Sequence, residues 1–73
     1  MNTNQKEKID PTLATQIREA REKKGLTQAQ VAKLANVTET FYAMTERGET
    51  NPSYVKLKSI LGVLGLKIVA KKQ

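Results

Sequence analysis

Two stretches of helical character, one opened by Thr27 and the other by Thr38, are separated by little more than Val37, and this joint constrains the chain more than any other feature. Thr27-Gln-Ala-Gln30 has the spacing of a capping box, in which the Thr hydroxyl takes the Gln30 amide and the Gln30 side chain returns to the cap amide. Val31, Ala32, Leu34 and Ala35 are expected to carry the apolar side of this helix, and Asn36 tolerates the left-handed backbone of a sharp exit. Thr38 caps the next helix, which runs to Arg47 and is stopped by Gly48. Two short helices joined so tightly have no length of chain with which to fold back antiparallel, so they must cross at a large angle.

The flanking segments supply two further helices. Asp10 is a good N-cap, Pro11 suits the first turn, and Leu13, Ile17 and Ala20 recur at helical spacing up to Lys23, Lys24 and the stop at Gly25. After the loop Glu49-Thr-Asn-Pro52, Ser53 caps a helix with Leu57, Ile60, Leu61 and Leu64 on one side and Gly65 at its end. From Leu66 to Lys71 the period changes to two, which predicts a short strand. The expected fold is all-α: a compact four-helix, helix-turn-helix domain over residues 10–65, preceded by a flexible arm over 1–9. A C-terminal segment over 66–73 carries the strand. A lone strand leaves its backbone groups unpaired, so it is expected to pair with its counterpart in a homodimer, with Leu61, Leu64, Leu66, Ile68 and Ala70 forming the interface.

Composition narrows the chemistry. The 73 residues contain no Cys, His or Trp, which removes thiolate zinc sites, iron-sulfur clusters, cysteine nucleophiles and the usual proton shuttle. Glu7, Glu19 and Glu22 read as surface charges, and without His or a Gly-rich loop no catalytic constellation forms, so neither an enzyme nor a metal or cofactor site is expected. The longest apolar stretch, Ile60 to Leu66, is far short of the roughly 20 residues that span a bilayer, and the polar N-terminus lacks a signal-peptide pattern. A cytoplasmic protein without a membrane partner is expected. Its net charge of +6, from 13 Lys and Arg against 7 Asp and Glu, favours a polyanionic partner such as nucleic acid.

The segments Ile17-Arg-Glu-Ala-Arg21, Gly25-Leu-Thr-Gln28, Val31-Ala-Lys-Leu-Ala35, Val37-Thr38, Glu46-Arg-Gly48, Asn51-Pro-Ser53 and Leu64-Gly65 occur in an order and spacing that closely resembles the Cro/lambda-repressor-like (XRE-type) helix-turn-helix family of bacterial and phage regulators. The resemblance implies a repressor that binds double-stranded DNA as a homodimer on a palindromic operator, with the third helix in the major groove. It places Glu39, Thr40 and Met44 at the principal base-reading positions, with Phe41, Ala43 and Thr38 close by. It makes Gln28 a phosphate donor at a helix N-terminus, and pairs Arg21 with Glu46 in an ion pair between the first and third helices. Lys33, Arg47, Lys56 and Lys58, near the ends of helices that flank the groove in this fold, are candidate phosphate contacts, as is Thr38.

Two departures from the family pattern matter. No Arg, Gln or Asn stands on the expected reading face, so base contacts must come from Glu39 accepting from cytosine N4, and from Thr40, Phe41, Ala43 or Met44 touching thymine methyls. The family prefers large apolar residues where Tyr42 and Thr45 stand, whereas Phe41 and Met44 fall at its outward positions. Either the helix rotates to bury Phe41 and Met44, or they lie exposed on the reading surface. The exposed alternative, together with a strand-like segment in place of a fifth helix, leaves a second reading open: an antitoxin whose main partner is a toxin protein and whose DNA binding serves autoregulation.

Overall fold

The computed structural model describes residues 8–67. These form four helices: α1 (Pro11–Lys24), α2 (Gln28–Ala35), α3 (Glu39–Glu46) and α4 (Tyr54–Leu64). Each start has the cap that its sequence implies. The Asp10 carboxylate accepts from the Thr12 amide at 3.2 Å, and Thr27 and Gln30 make both bonds of a capping box at 2.8 and 3.0 Å. Thr38 and Ser53 accept from the amides of Phe41 and Lys56. Between α2 and α3 the chain turns at Asn36, whose φ of 61° makes it the one non-glycine residue with positive φ among the described residues. This bend lets the Val37 amide reach back to the Ala32 carbonyl at 3.0 Å, closing the last turn of α2 before Thr38 begins α3.

The core lies where α2 packs on α3 and α4, with α1 covering both. Ile17 from α1, Val31, Ala32 and Ala35 from α2, Tyr42 from α3 and Ile60, Leu61 and Leu64 from α4 are buried there. Ala32 and Ala35 keep side chains short on the face of α2 that meets its neighbours, so the helices can approach closely. Tyr42 and Thr45 point inward, while Phe41 and Met44 are half-buried; the family register holds and the helix does not rotate to bury the outer pair.

Three expectations are corrected, and a fourth falls largely outside the described residues. Ile9, placed in the flexible arm, is 7% exposed and joins the core, and its amide donates to the Thr50 carbonyl at 2.7 Å. The ordered domain therefore begins before the Asp10 cap, anchored by an apolar side chain and a backbone bond to the α3–α4 loop. Leu34, placed on the apolar side of α2, is 65% exposed. Val31, Ala32 and Ala35 already occupy the buried arc of that short helix, and Leu34 falls outside it. Leu61 and Leu64, placed in the dimer interface, are buried inside the subunit, so they back that side of α4 and do not project from it. Finally, no strand occurs among the described residues: Leu66 and Lys67 are irregular, and the Leu66 amide closes α4 by donating to the Leu61 carbonyl at 2.8 Å. Ile68 and Ala70, with the remainder of the expected strand, lie outside the described residues. No described helix is long and apolar enough to cross a membrane.

The placement of Ile9 and Leu34 gives a direct comparison. Ile9→Ala should destabilise the domain by about 2 to 4 kcal/mol through the cavity it leaves, whereas Leu34→Ala should change stability by less than about 0.5 kcal/mol. Urea melts of the two variants check this, and equal losses would contradict the packing described.

Candidate nucleic-acid interface

The geometry of α3 is set from behind by a polar cluster. The Arg21 guanidinium of α1 grips the Glu46 carboxylate of α3 with two bonds, Nε to Oε2 at 2.6 Å and Nη2 to Oε1 at 3.2 Å. A third guanidinium nitrogen, Nη1, donates to the Leu26 carbonyl at 3.0 Å, which ties the α1–α2 connection to the same centre. Gln28, in the first turn of α2, completes the arrangement by donating from Nε2 to Glu46 Oε1 at 3.0 Å. One carboxylate thus joins three helices. The Glu46 side chain is 3% exposed, so its charge depends on these partners. Burial alone would push its carboxyl up, but the bonds from Arg21 and Gln28, together with the guanidinium charge, outweigh that and hold it below its ordinary value of 4.5. Arg21 is correspondingly pushed up, chiefly by its bond to Glu46.

Tyr42 faces the same carboxylate without meeting hydrogen-bond geometry, and its buried Oη has no partner among the described residues. Burial first, and the neighbouring Glu46 anion second, push its ionisation well above the ordinary tyrosine value, so it remains neutral. On the same buried face, Thr45 donates from Oγ1 to the Phe41 carbonyl at 2.9 Å, leaving that oxygen to accept from Thr50 Oγ1, also at 2.9 Å. Thr50 is buried and, through its carbonyl, holds Ile9. Sequence reasoning missed both Tyr42 as a member of the polar cluster and Thr50 as the link between loop and N-terminal segment. Tyr42 was detectable in principle, since a tyrosine four residues before the buried glutamate shares its helix face; Thr50, in a loop, gave no periodic signal.

The opposite side of α3 is open. Thr38, Glu39 and Thr40 are exposed at its N-terminal edge, and Phe41, Ala43 and Met44 are half-buried along the next turn. Asn36, Val37, Thr38, Phe41 and Lys56 line a cleft of about 500 Å³ where the α2–α3 turn meets the start of α4. Lys33, Lys56 and Lys58 are exposed; Lys56 Nζ lies 4.9 Å from the Phe41 ring centroid, and Lys58 Nζ lies 5.9 Å from that of Tyr54. Arg47 is exposed and paired with the equally exposed Glu49 at 3.1 Å, a surface contact of small energetic weight. Of the expected phosphate contacts, Thr38 and Lys56 therefore share one cleft with Phe41, while Gln28 has one amide hydrogen already committed to Glu46. No group of acidic side chains suited to a metal ion occurs among the described residues.

A tight-turned α2–α3 pair held at its back by a buried ion pair defines a helix-turn-helix domain. A family model described as helix-turn-helix matches residues 17–70, and the chain belongs to this family, in its Cro/lambda-repressor-like branch. It is also 36% identical over 59 residues to the immunity repressor protein of Bacillus phage phi105, an alignment that covers 81% of this chain. The chain spans 41% of the length of that relative.

The ion pair gives two linked expectations. Arg21→Met should lose on the order of 3 kcal/mol, because it strands a buried carboxylate, whereas Lys24→Met at an exposed site should lose little. Because the Glu46 carboxyl is depressed in the folded state, its contribution is fully present above its ordinary value of 4.5 and is lost as pH falls through the lower folded value. Urea stability should therefore fall with acid below about pH 4.5 in the parent, and that fall should be shallower in Glu46→Gln. Identical acid profiles for the two proteins would contradict the role given to the carboxylate.

Proposed function

We propose that this protein is a sequence-specific double-stranded DNA-binding regulator, acting as a repressor, with α3 as its reading helix. The observation that carries the reading is the division of α3 into two faces. Tyr42, Thr45 and Glu46 are locked into the core and to α1, while Thr38, Glu39 and Thr40 stand exposed beside a cleft that holds a lysine. A short helix fixed from behind and open in front is what insertion into a major groove requires. The net charge of +6 supplies the electrostatic attraction that such docking needs. The phage relative is named as an immunity repressor, which supports the same direction of regulation.

The base readers in this proposal are Glu39, Thr40, Phe41, Ala43 and Met44. Thr38, Gln28, Lys33, Arg47, Lys56 and Lys58 meet phosphates. Gln28 can serve with the second hydrogen of its amide, and its bond to Glu46 fixes the direction in which that hydrogen points. A homodimer on a palindromic site remains part of the proposal, with its surface extended toward the start of α4. Tyr54 and Val55 are 64% and 70% exposed at the start of α4, and a groove of about 330 Å³ runs from Tyr54 past Lys58, Leu61 and Gly62 to Leu66. A Cβ at Gly62 would meet nothing within 4 Å inside the subunit, so intramolecular packing does not demand glycine there. The half-buried state of Phe41 and Met44 weakens the antitoxin alternative, because neither leaves a large apolar patch on α3 for a toxin to cover.

Affinity for a duplex selected from a random pool should fall steeply with salt. If the dimer neutralises about 6 to 10 phosphates, binding should weaken by roughly 10³ to 10⁵ between 50 and 200 mM. Glu39→Ala and Thr40→Ala should change base preference at one or two positions by about 1 to 3 kcal/mol, whereas Lys33→Ala should weaken all sequences alike. Fluorescence anisotropy across a duplex panel measures both; salt-independent binding, or no binding to any duplex, would remove the proposal.

A further inference from the structure

We propose that Phe41 reads a thymine methyl group and that Lys56 is its positioning residue, holding the ring in place through a cation–π contact. The inference rests on α3 being the reading helix and goes further by assigning one base feature to one side chain and a second residue to its orientation.

Phe41 and Lys56 occupy equivalent places on two different helices. Each is the third residue after a capping hydroxyl, Phe41 bonded through its amide to Thr38 and Lys56 through its amide to Ser53. The caps fix both backbones, and the Lys56 side chain sets its ammonium 4.9 Å from the Phe41 ring centroid. The neighbouring contact of Lys58 with Tyr54, at 5.9 Å, lies within one helix at a spacing of four and follows from helix geometry alone. The contact of Lys56 with Phe41 crosses from one helix to another and depends on the tertiary fold.

The charge of Lys56 is also set against local electrostatics. The first turn of a helix favours anions, and α4 has no acidic residue there to offset a lysine. A side chain that breaks this preference, at the mouth of a cleft lined by Thr38 and Phe41, is placed for a contact outside its own helix. The ring supplies that contact in the free protein. It leaves Phe41 only half-buried, with its inner part packed against the core and the remainder turned toward the cleft beside the exposed Thr38 and Thr40. Of the side chains lining that cleft, Phe41 is the largest apolar one, and the matching feature in a major groove is the C5-methyl of thymine. A methyl-sized contact is worth about a 4-fold change in affinity. A cation over the ring restrains its rotation, so losing the cation should blur this discrimination even where overall binding persists.

The test uses the full chain and the duplex that it selects from a random pool, with each thymine in turn replaced by deoxyuridine, which removes only the methyl. The thymine-to-uracil affinity ratio is measured by anisotropy. Because each ratio is taken on one protein preparation, partial loss of folded protein cancels. In the parent chain one position per half-site should show a ratio of about 4. Phe41→Ala should bring that ratio to about 1, Lys56→Met should bring it below about 2, and Lys56→Arg, which keeps a cation over the ring, should restore it. If Phe41→Ala leaves the ratio unchanged, another residue reads the methyl and the proposal falls. If Lys56→Met weakens thymine and uracil duplexes by the same factor, Lys56 is a phosphate contact only. Uniform ratios of 1 in the parent chain, with tight binding, would overturn methyl reading while leaving the DNA-binding reading intact; failure to select any duplex would overturn both.

Discussion

The bidentate pair between Arg21 and Glu46 is the contact on which the rest of the arrangement depends. α3 spans only eight residues, too few to be stable as a helix by itself or to hold a direction without tertiary support. Its carboxylate at residue 46 is bonded by α1 through Arg21 and by α2 through Gln28, and the same guanidinium takes the carbonyl of Leu26 in the connection between those helices. Removing two charges from water offsets most of the Coulomb attraction, so the pair contributes little net stability compared with an apolar replacement. What it supplies is direction. A carboxylate buried at 3% exposure has one acceptable arrangement of donors, and that arrangement fixes how α3 faces solvent.

The same pair settles which residues of α3 point outward. Phe41 and Met44 are three apart, and so are Tyr42 and Thr45, so helical spacing permits either pair to be the inner one. Glu46 breaks the symmetry. It shares a face with Tyr42 and Thr45, and once it is committed to Arg21 those two must be buried. The consequences are a tyrosine hydroxyl left without a partner among the described residues and a phenylalanine left beside the open edge of the helix. Both are departures from the simplest choice of apolar-in and polar-out, and both lie on the short helix that carries the proposed function.

Much of this architecture is legible from local chemistry. The caps at Asp10, Thr27, Thr38 and Ser53 and the left-handed exits at Gly25, Asn36 and Gly65 depend on residues within a few positions of one another, and all stand as the sequence implies. What depended on distant partners was not legible in the same way. Ile9 is a single apolar residue outside any periodic run, and only its bond to Thr50 and its place in the core reveal that it belongs to the domain. Leu34 looks apolar enough for burial, but an eight-residue helix has a narrow inner arc that Val31, Ala32 and Ala35 fill. The Arg21–Glu46 pair is separated by 25 residues and entered through family resemblance, not through spacing. For the interface, the proposed reading edge follows from the position of the turn, whereas the meeting of Lys56 with Phe41 depends on how α3 and α4 are each placed against α2 and could not be read from either helix alone.

The central claim is that duplex DNA meets the open edge of α3, with the buried cluster behind it undisturbed. The most direct measurement is an NMR titration of the uniformly labelled chain with its selected duplex, following backbone amides and the Arg21 side-chain resonance. The account predicts the largest shifts at Thr38–Phe41, Met44, Gln28 and Lys56, with the Arg21 Nε resonance retained in its paired state. Shifts confined to the Tyr54–Leu66 side of α4, with the amides of α3 unchanged, would contradict it.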